Sequence, residues 1–188
     1  VPLPRAPRTP PTADKVRAAF DAAVAEFSAV LPSRASLNVH HAHAATPGKV
    51  KSLRAWTRAF ATVQSKYPAV WAVLTRRLRI LRLEVRPSDS ADASWGSYLT
   101  INLKEASSPH LGTLVHEIGH MFEEDQPDGF EIGSGQGLYG NPPFSHTYFQ
   151  DRPVEDFAEC FRQVHLEPSI VRKAAPAKYA DMRARLGR

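Results

Sequence analysis

Val115-His116-Glu117-Ile118-Gly119-His120-Met121 is the stretch whose reading decides this chain. On a helix of 3.6 residues per turn, His116 and His120 lie one turn apart on one face, with Glu117 beside the first of them. This is the H-E-x-x-H spacing, in which two imidazoles converge on one zinc ion and a glutamate stands next to the water it must deprotonate. The bland alternative is a surface helix with a polar face.

The flanking residues favour the metal. Ser108-Pro109 offers an N-cap and a proline at the first helical position, where a missing N–H costs nothing. Leu111, Leu114, Val115, Ile118 and Phe122 recur at helical spacing on a face other than that of the histidines. Gly119, inside a helix at a cost of about 1 kcal/mol relative to alanine, implies that something packs closely against it.

Working outward toward the amino end, Leu99, Ile101 and Leu103 alternate with Tyr98, Thr100 and Asn102, the period of a strand immediately before the metal helix. An edge strand in this place would pair with an extended polypeptide, so Tyr98, Leu99 and Thr100 are candidate substrate-binding residues. Leu81, Leu83 and Val85 alternate with Arg82, Glu84 and Arg86 in a further strand, and Ser88 to Ser94 read as a polar turn. The charges from Arg76 to Arg86 read as solvated faces. Ala69 to Leu78 form a short helix, and Thr46-Pro47 cap a longer one with a stripe of Val50, Leu53, Trp56, Phe60 and Val63 that closes near Tyr67-Pro68. Leu37 to His43 suit a short strand. A helix from Thr12, with Val16, Ala19, Phe20, Ala23, Val24, Phe27 and Val30 as its stripe, ends before Pro32. Residues 1–11 hold five prolines and two arginines and read as a linker or trimmed terminus.

Toward the carboxyl end, Gly129, Gly133, Gly135, Gly137 and Gly140 punctuate a long loop ending in Asn141-Pro142-Pro143. Its G-x-G-x-x-G has no strand leading in and no helix leading out, which excludes a dinucleotide site. A lid or binding loop is the expectation. The next helix begins near Pro153, with Val154, Phe157, Ala158 and Phe161 on its core face and Glu155 and Glu159 one turn apart on another. A catalytic zinc needs a third protein ligand and one open position. The metzincin continuation demands Gly at 123 and His at 126, where this chain has Glu123 and Gln126. Glu155 can be that ligand, with Glu159 bonding the far nitrogen of His116 and fixing its tautomer. His146, Asp151 and Asp156 compete for the same role. His40, His41 and His43 are a candidate second metal site, weakened because adjacent strand residues point to opposite faces.

H-E-I-G-H followed by E-D-F-A-E-C-F resembles the gluzincin branch of zinc peptidases that contains anthrax lethal factor and the clostridial Pro-Pro endopeptidases. In that family a catalytic tyrosine lies seven residues before the ligand glutamate, and Tyr148 stands seven before Glu155. Over residues 95 to 165 the resemblance implies His116, His120 and Glu155 as zinc ligands, Glu117 as general base, Tyr148 as oxyanion donor and Glu159 as partner of a ligand histidine. The glycine loop corresponds to the family's variable substrate loop, which makes Gly135 and Gly137 substrate-binding candidates. The implied fold is α+β and zincin-like, mostly helical, with a small sheet whose edge strand flanks the H-E-x-x-H helix. Residues 12–188 form one peptidase domain, with an amino-terminal lobe to 105 and a carboxy-terminal lobe from 106.

Composition sets the remaining bounds. The 188 residues suffice for one substantial core, and 43% apolar with 23% charged residues is ordinary for a globular protein. No apolar run approaches the roughly 18 residues of a membrane span. The single Cys160 excludes an internal disulfide and reads as a small buried hydrophobe. The net charge of +5 comes from dispersed arginines without interleaved aromatics, which argues against a nucleic-acid partner. No apolar leader stands at its start, so any export signal has been removed or was never part of this sequence; a secreted, extracellular monomer is the expectation. The activity expected is zinc-dependent cleavage of polypeptides, proline-rich sequences being one candidate class. The alternative is a catalytically silent zinc-containing binding domain.

Overall fold

The computed structural model describes residues 11–85, 91–105, 110–134, 137–143 and 152–187. The proline-rich 1–10 and the Ser108-Pro109 cap lie outside them. The chain is α+β and mostly helical. Helix α1 (Ala13–Ala29), strand β1 (Ser36–His40), α2 (Pro47–Lys66), α3 (Pro68–Arg77) and β2 (Ile80–Glu84) come first, followed by β3 (Ala93–Ser94), β4 (Leu99–Asn102) and α4 (His110–Glu123). A short α5 (Gly129–Ser134), then α6 (Pro153–Leu166), α7 (Pro168–Ala174) and α8 (Pro176–Arg185), complete it.

Local chemistry explains most boundaries. The Thr46 hydroxyl accepts from the Lys49 N–H at 3.2 Å, and Pro47 occupies the first position of α2. Prolines likewise open α3, α6, α7 and α8. Three elements depart from their sequence pattern: a 3-10 turn at Ala42–Ala44 replaces the end of the strand expected to His43, β3 lies in an expected polar turn, and α5 stands in an expected glycine-punctuated loop. Here Ile132 donates to the Asp128 carbonyl at 3.0 Å and is 3% exposed, so burial outweighs the low helix propensity of Gly129 and Gly133.

The sheet order is β1-β2-β4-β3, parallel among the first three strands and antiparallel between β4 and β3. One face carries Leu81, Leu83, Leu99 and Ile101 into the core. The other carries Arg82, whose guanidinium bonds Glu84 and, at 3.2 Å, the Tyr98 hydroxyl. This corrects the expectation for Tyr98, Leu99 and Thr100. Strand β4 is paired on both sides, Leu99 is buried, and the edge that flanks the H-E-x-x-H helix is β3. Two residues are too short to show an alternating pattern, so the edge hides in what reads as a polar turn.

One continuous set of buried apolar side chains runs from Phe20 to Met182. Phe27 meets Phe60 edge to face at 5.2 Å, and Phe122 contacts Phe157 and Phe161 at 6.1 and 5.2 Å. A buried ion pair also belongs to it. Lys178 Nζ lies 2.5 Å from Asp156 and donates to the Asn141 carbonyl at 2.6 Å, while the Gly140 N–H donates to Asp156 at 3.1 Å. Tyr139 packs on Phe157 at 4.8 Å and donates to Asp181. Residues 137–143 are thereby strapped to α6 and α8.

His110, at the start of α4, stacks on Trp56 at 4.2 Å and has no hydrogen-bond partner on either ring nitrogen among the described residues. Burial lowers its pKa, with Asp92 opposing and Arg58 and Lys104 reinforcing the shift. The folded state therefore binds fewer protons than the unfolded one, and its stability falls as pH drops below the ordinary imidazole value of 6.5. His110→Phe keeps the stack and removes the titration. Urea midpoints measured from pH 8 to 5 should diverge below about pH 6.5, the native chain losing more stability than the variant.

Candidate metal centre

The centre is built where α4 crosses α6. A Cβ placed on Gly119 would lie 2.8 Å from both the Cα and the carbonyl oxygen of Ala158, so only glycine permits this approach. His116 lies three residues before Gly119, and Glu155 three before Ala158, so each pair shares a helix face. The contact therefore sets His116 against Glu155. His116 Nε2 is 3.1 Å and His120 Nε2 3.7 Å from the same Glu155 Oε2, and the two rings meet edge to face at 4.9 Å. The three donor atoms lie within 4.8 Å of one another, the one such group of three among the described residues.

The far side of His116 is held as well. Its Nδ1 lies 3.4 Å from Glu159 Oε2. Glu159 in turn accepts from Arg162 at 2.9 and 2.7 Å and from Gln163 at 2.9 Å. A carboxylate this well supplied with donors is ionised: burial alone would raise its pKa, but His116, Arg162 and Gln163 bring it down to about 2. It anchors Nδ1 and leaves Nε2 aimed inward, the tautomer that metal ligation needs.

Electrostatics fit a cation. Burial works against a charged His116, but hydrogen bonds to Glu155 and Glu159 outweigh it and raise its pKa to about 9. Burial and the neighbouring His116 charge push His120 down, to about 4. The hydrogen bond from His116 is the main cause of a lowered Glu155 pKa. Two imidazole nitrogens and one carboxylate oxygen, backed by an anionic Glu159, are a donor set of the kind that suits zinc.

Glu117 is 7% exposed. Burial raises its pKa, while His116 and the Trp95 backbone N–H oppose the rise. With His120 and Glu155 it lines a cleft of about 560 Å³ whose other wall is Ala93, Ser94, Trp95 and Gly96. Val154, expected in the core, is half-buried and lines this cleft.

The remaining candidates separate by position. Asp156 is excluded as a ligand, because it faces the opposite side of α6 and is consumed by Lys178. Gly137 is exposed and lies outside the cleft lining, since its segment is strapped to α8. His40 and His41 do not point apart: His41 has a left-handed φ of 58°, which turns both rings toward Glu84 at 3.9 and 3.3 Å. That turn, and not strand alternation, decides their direction. With His43 they make no converging donor group among the described residues. Tyr148, Gly135, His146 and Asp151 lie outside the described residues. Sequence reading missed Trp95, Arg162 and Gln163. For the last two a signal existed, since Glu159 lies three and four residues before them on one helix. No protein-family model matches this chain, and no curated protein matches it.

Gly119→Ala should cost about 1–3 kcal/mol by overpacking against the Ala158 backbone and weaken zinc binding by spreading the donors. Gly112→Ala, whose nearest neighbour would be the Arg162 guanidinium at 3.7 Å, should stabilise the helix by a few tenths to about 1 kcal/mol. Urea titration and competition with a zinc chelator measure both. Glu159→Gln should leave the fold intact and lower zinc affinity by about 10–100-fold in the same competition assay.

Proposed function

We propose that this chain is a zinc-dependent endopeptidase of the gluzincin type, with His116, His120 and Glu155 as the residues that hold the ion. The observation that carries this reading is the buried Glu117 carboxylate beside three converging donors, on the floor of a cleft bounded by β3, the strand at the sheet's edge among the described residues. Zinc bound there would supply Lewis-acid polarisation of the scissile carbonyl and lower the pKa of a water molecule toward about 7.

The chain's own residues do the rest. The backbone N–H and C=O of Ala93, which point away from β4 because Asp92 and Ser94 take the hydrogen-bonded positions of the ladder, bind an extended polypeptide through main-chain hydrogen bonds that orient it without regard to sequence. Glu117 accepts the proton of the attacking water and delivers it to the leaving amine. Burial moves its pKa upward, toward the range where a carboxylate serves both roles, and the Trp95 N–H fixes its orientation. Glu159, braced by Arg162, holds the His116 ring in place. Tyr148, seven residues before Glu155, is the proposed donor to the oxyanion.

A silent zinc-binding domain is the competing reading. It is disfavoured by the cleft, because a structural zinc closes its coordination sphere with protein ligands, whereas Glu117, His120 and Glu155 all face an open groove.

A combinatorial peptide library read by mass spectrometry, with metal analysis in parallel, separates the two. The native chain should cleave peptides and stop on chelation. Glu117→Gln should keep stoichiometric zinc and lose about 10²–10⁴-fold in kcat/KM, with a smaller loss for Tyr148→Phe. Undiminished cleavage by Glu117→Gln would overturn the assignment, and full zinc occupancy without cleavage of any peptide would favour the binding domain.

A further inference from the structure

Past Ser94 the cleft does not end. Trp95, Gly96 and Glu124 line it, and the same three residues line a second groove of about 530 Å³ whose remaining walls are Arg76, Arg77, Arg79 and Ser97. The two compartments differ in charge. Around the metal ligands stand Glu117, Glu123, Glu124 and Glu155, against Arg152. Beyond Trp95 stand three guanidinium groups.

The carboxylates near those arginines are already matched. Glu124 bonds Arg77 and accepts from the Trp95 indole Nε1 at 2.7 Å. Asp125 bonds Arg76, with Arg77 at 3.3 Å on its other oxygen. These pairs hold the Arg76 and Arg77 side chains across the gap between α3 and the end of α4. Arg79 differs. It is exposed, its Nη1 donates to the Leu78 carbonyl at 3.2 Å, and among the described residues no carboxylate pairs with it. The groove therefore presents a surplus cation, held at one end by the backbone, with an aromatic wall beside it.

We propose that this groove is a specificity subsite that takes an acidic side chain of the polypeptide lying along β3, with Arg79 as the residue that reads it. The proposal rests on the endopeptidase reading above and deepens it by naming a substrate class. A guanidinium presents its donors in a planar fork that matches a carboxylate and not an amide. An extended chain advances about 3.3 Å per residue, and Trp95, whose backbone N–H reaches Glu117, already lies at the entrance of the groove. The acidic residue accordingly sits about one to three positions from the scissile bond, on the side that runs toward Ser97. The acidic compartment around Glu123 rejects the same side chain, which sets the direction of the preference.

The test uses extended peptides in pairs that differ only in Asp/Asn or Glu/Gln at a single position, scanned along the peptide. Affinity is read by fluorescence anisotropy on the full chain carrying Glu117→Gln, and kcat/KM on the native chain. The acidic member should bind and be cleaved about tenfold better at one position on one side only, and 0.5 M salt should erase most of the difference. Arg79→Gln should remove the discrimination, and Arg79→Glu should transfer it to a Lys-containing peptide. Because the binding arm needs no turnover, an acid preference without cleavage would sink the peptidase assignment and leave the subsite standing. Equal affinity for acid and amide peptides overturns the subsite, as does a single-stranded oligonucleotide that outcompetes the acidic peptides at Arg79.

Discussion

The close approach of two helices at Gly119 and Ala158 is the constraint on which the rest of this structure depends. Neither residue has chemistry of its own. A missing side chain on α4, opposite a backbone carbonyl on α6, lets the two axes come near enough for a carboxylate from one helix to reach two imidazoles on the other. Glu155 is 39 residues from His116 in sequence, and their 3.1 Å separation follows from a contact three residues further along both helices. A side chain at Gly119 would press on the Ala158 backbone and spread these three donor atoms apart.

Around that crossing the polar groups are layered by function. Glu155 faces the cleft, Glu159 faces the back of His116, and Asp156 faces away into a buried pair with Lys178. Three acidic residues within five positions thus take three roles, set by the 100° step of the helix. The pair with Lys178 also ties the segment around Gly140 and Asn141 to α8. A lysine and an aspartate buried with no such partners would be costly; with the Asn141 carbonyl and the Gly140 N–H added, the site is satisfied on both sides.

The sheet contributes position more than chemistry. Its two-residue edge strand brings Trp95 over Glu117, and Trp95 then divides the surface into an acidic compartment around the donors and a basic one around Arg79. The dispersed positive charge of the chain acquires a local meaning there, because Arg76 and Arg77 are neutralised by Asp125 and Glu124 while Arg79 has no carboxylate partner among the described residues.

Periodicity and spacing along the chain determined the helices from Thr12 to Tyr67, the alternating strands at Leu81 and Leu99, and the pair His116 and His120 with Glu117. Each of these is a local property, fixed by side chains within a turn or two of one another, and so is visible without coordinates. The glycine in α4 signalled a close neighbour but could not name it. Only tertiary structure decided that the neighbour is Ala158, that Glu155 and not Asp156 faces the histidines, and that β3 and not β4 forms the edge. It also decided that His41 turns back through a left-handed backbone toward Glu84. Those outcomes depend on which surfaces are buried against each other across 40 or more residues, and no pattern within a single segment records that choice.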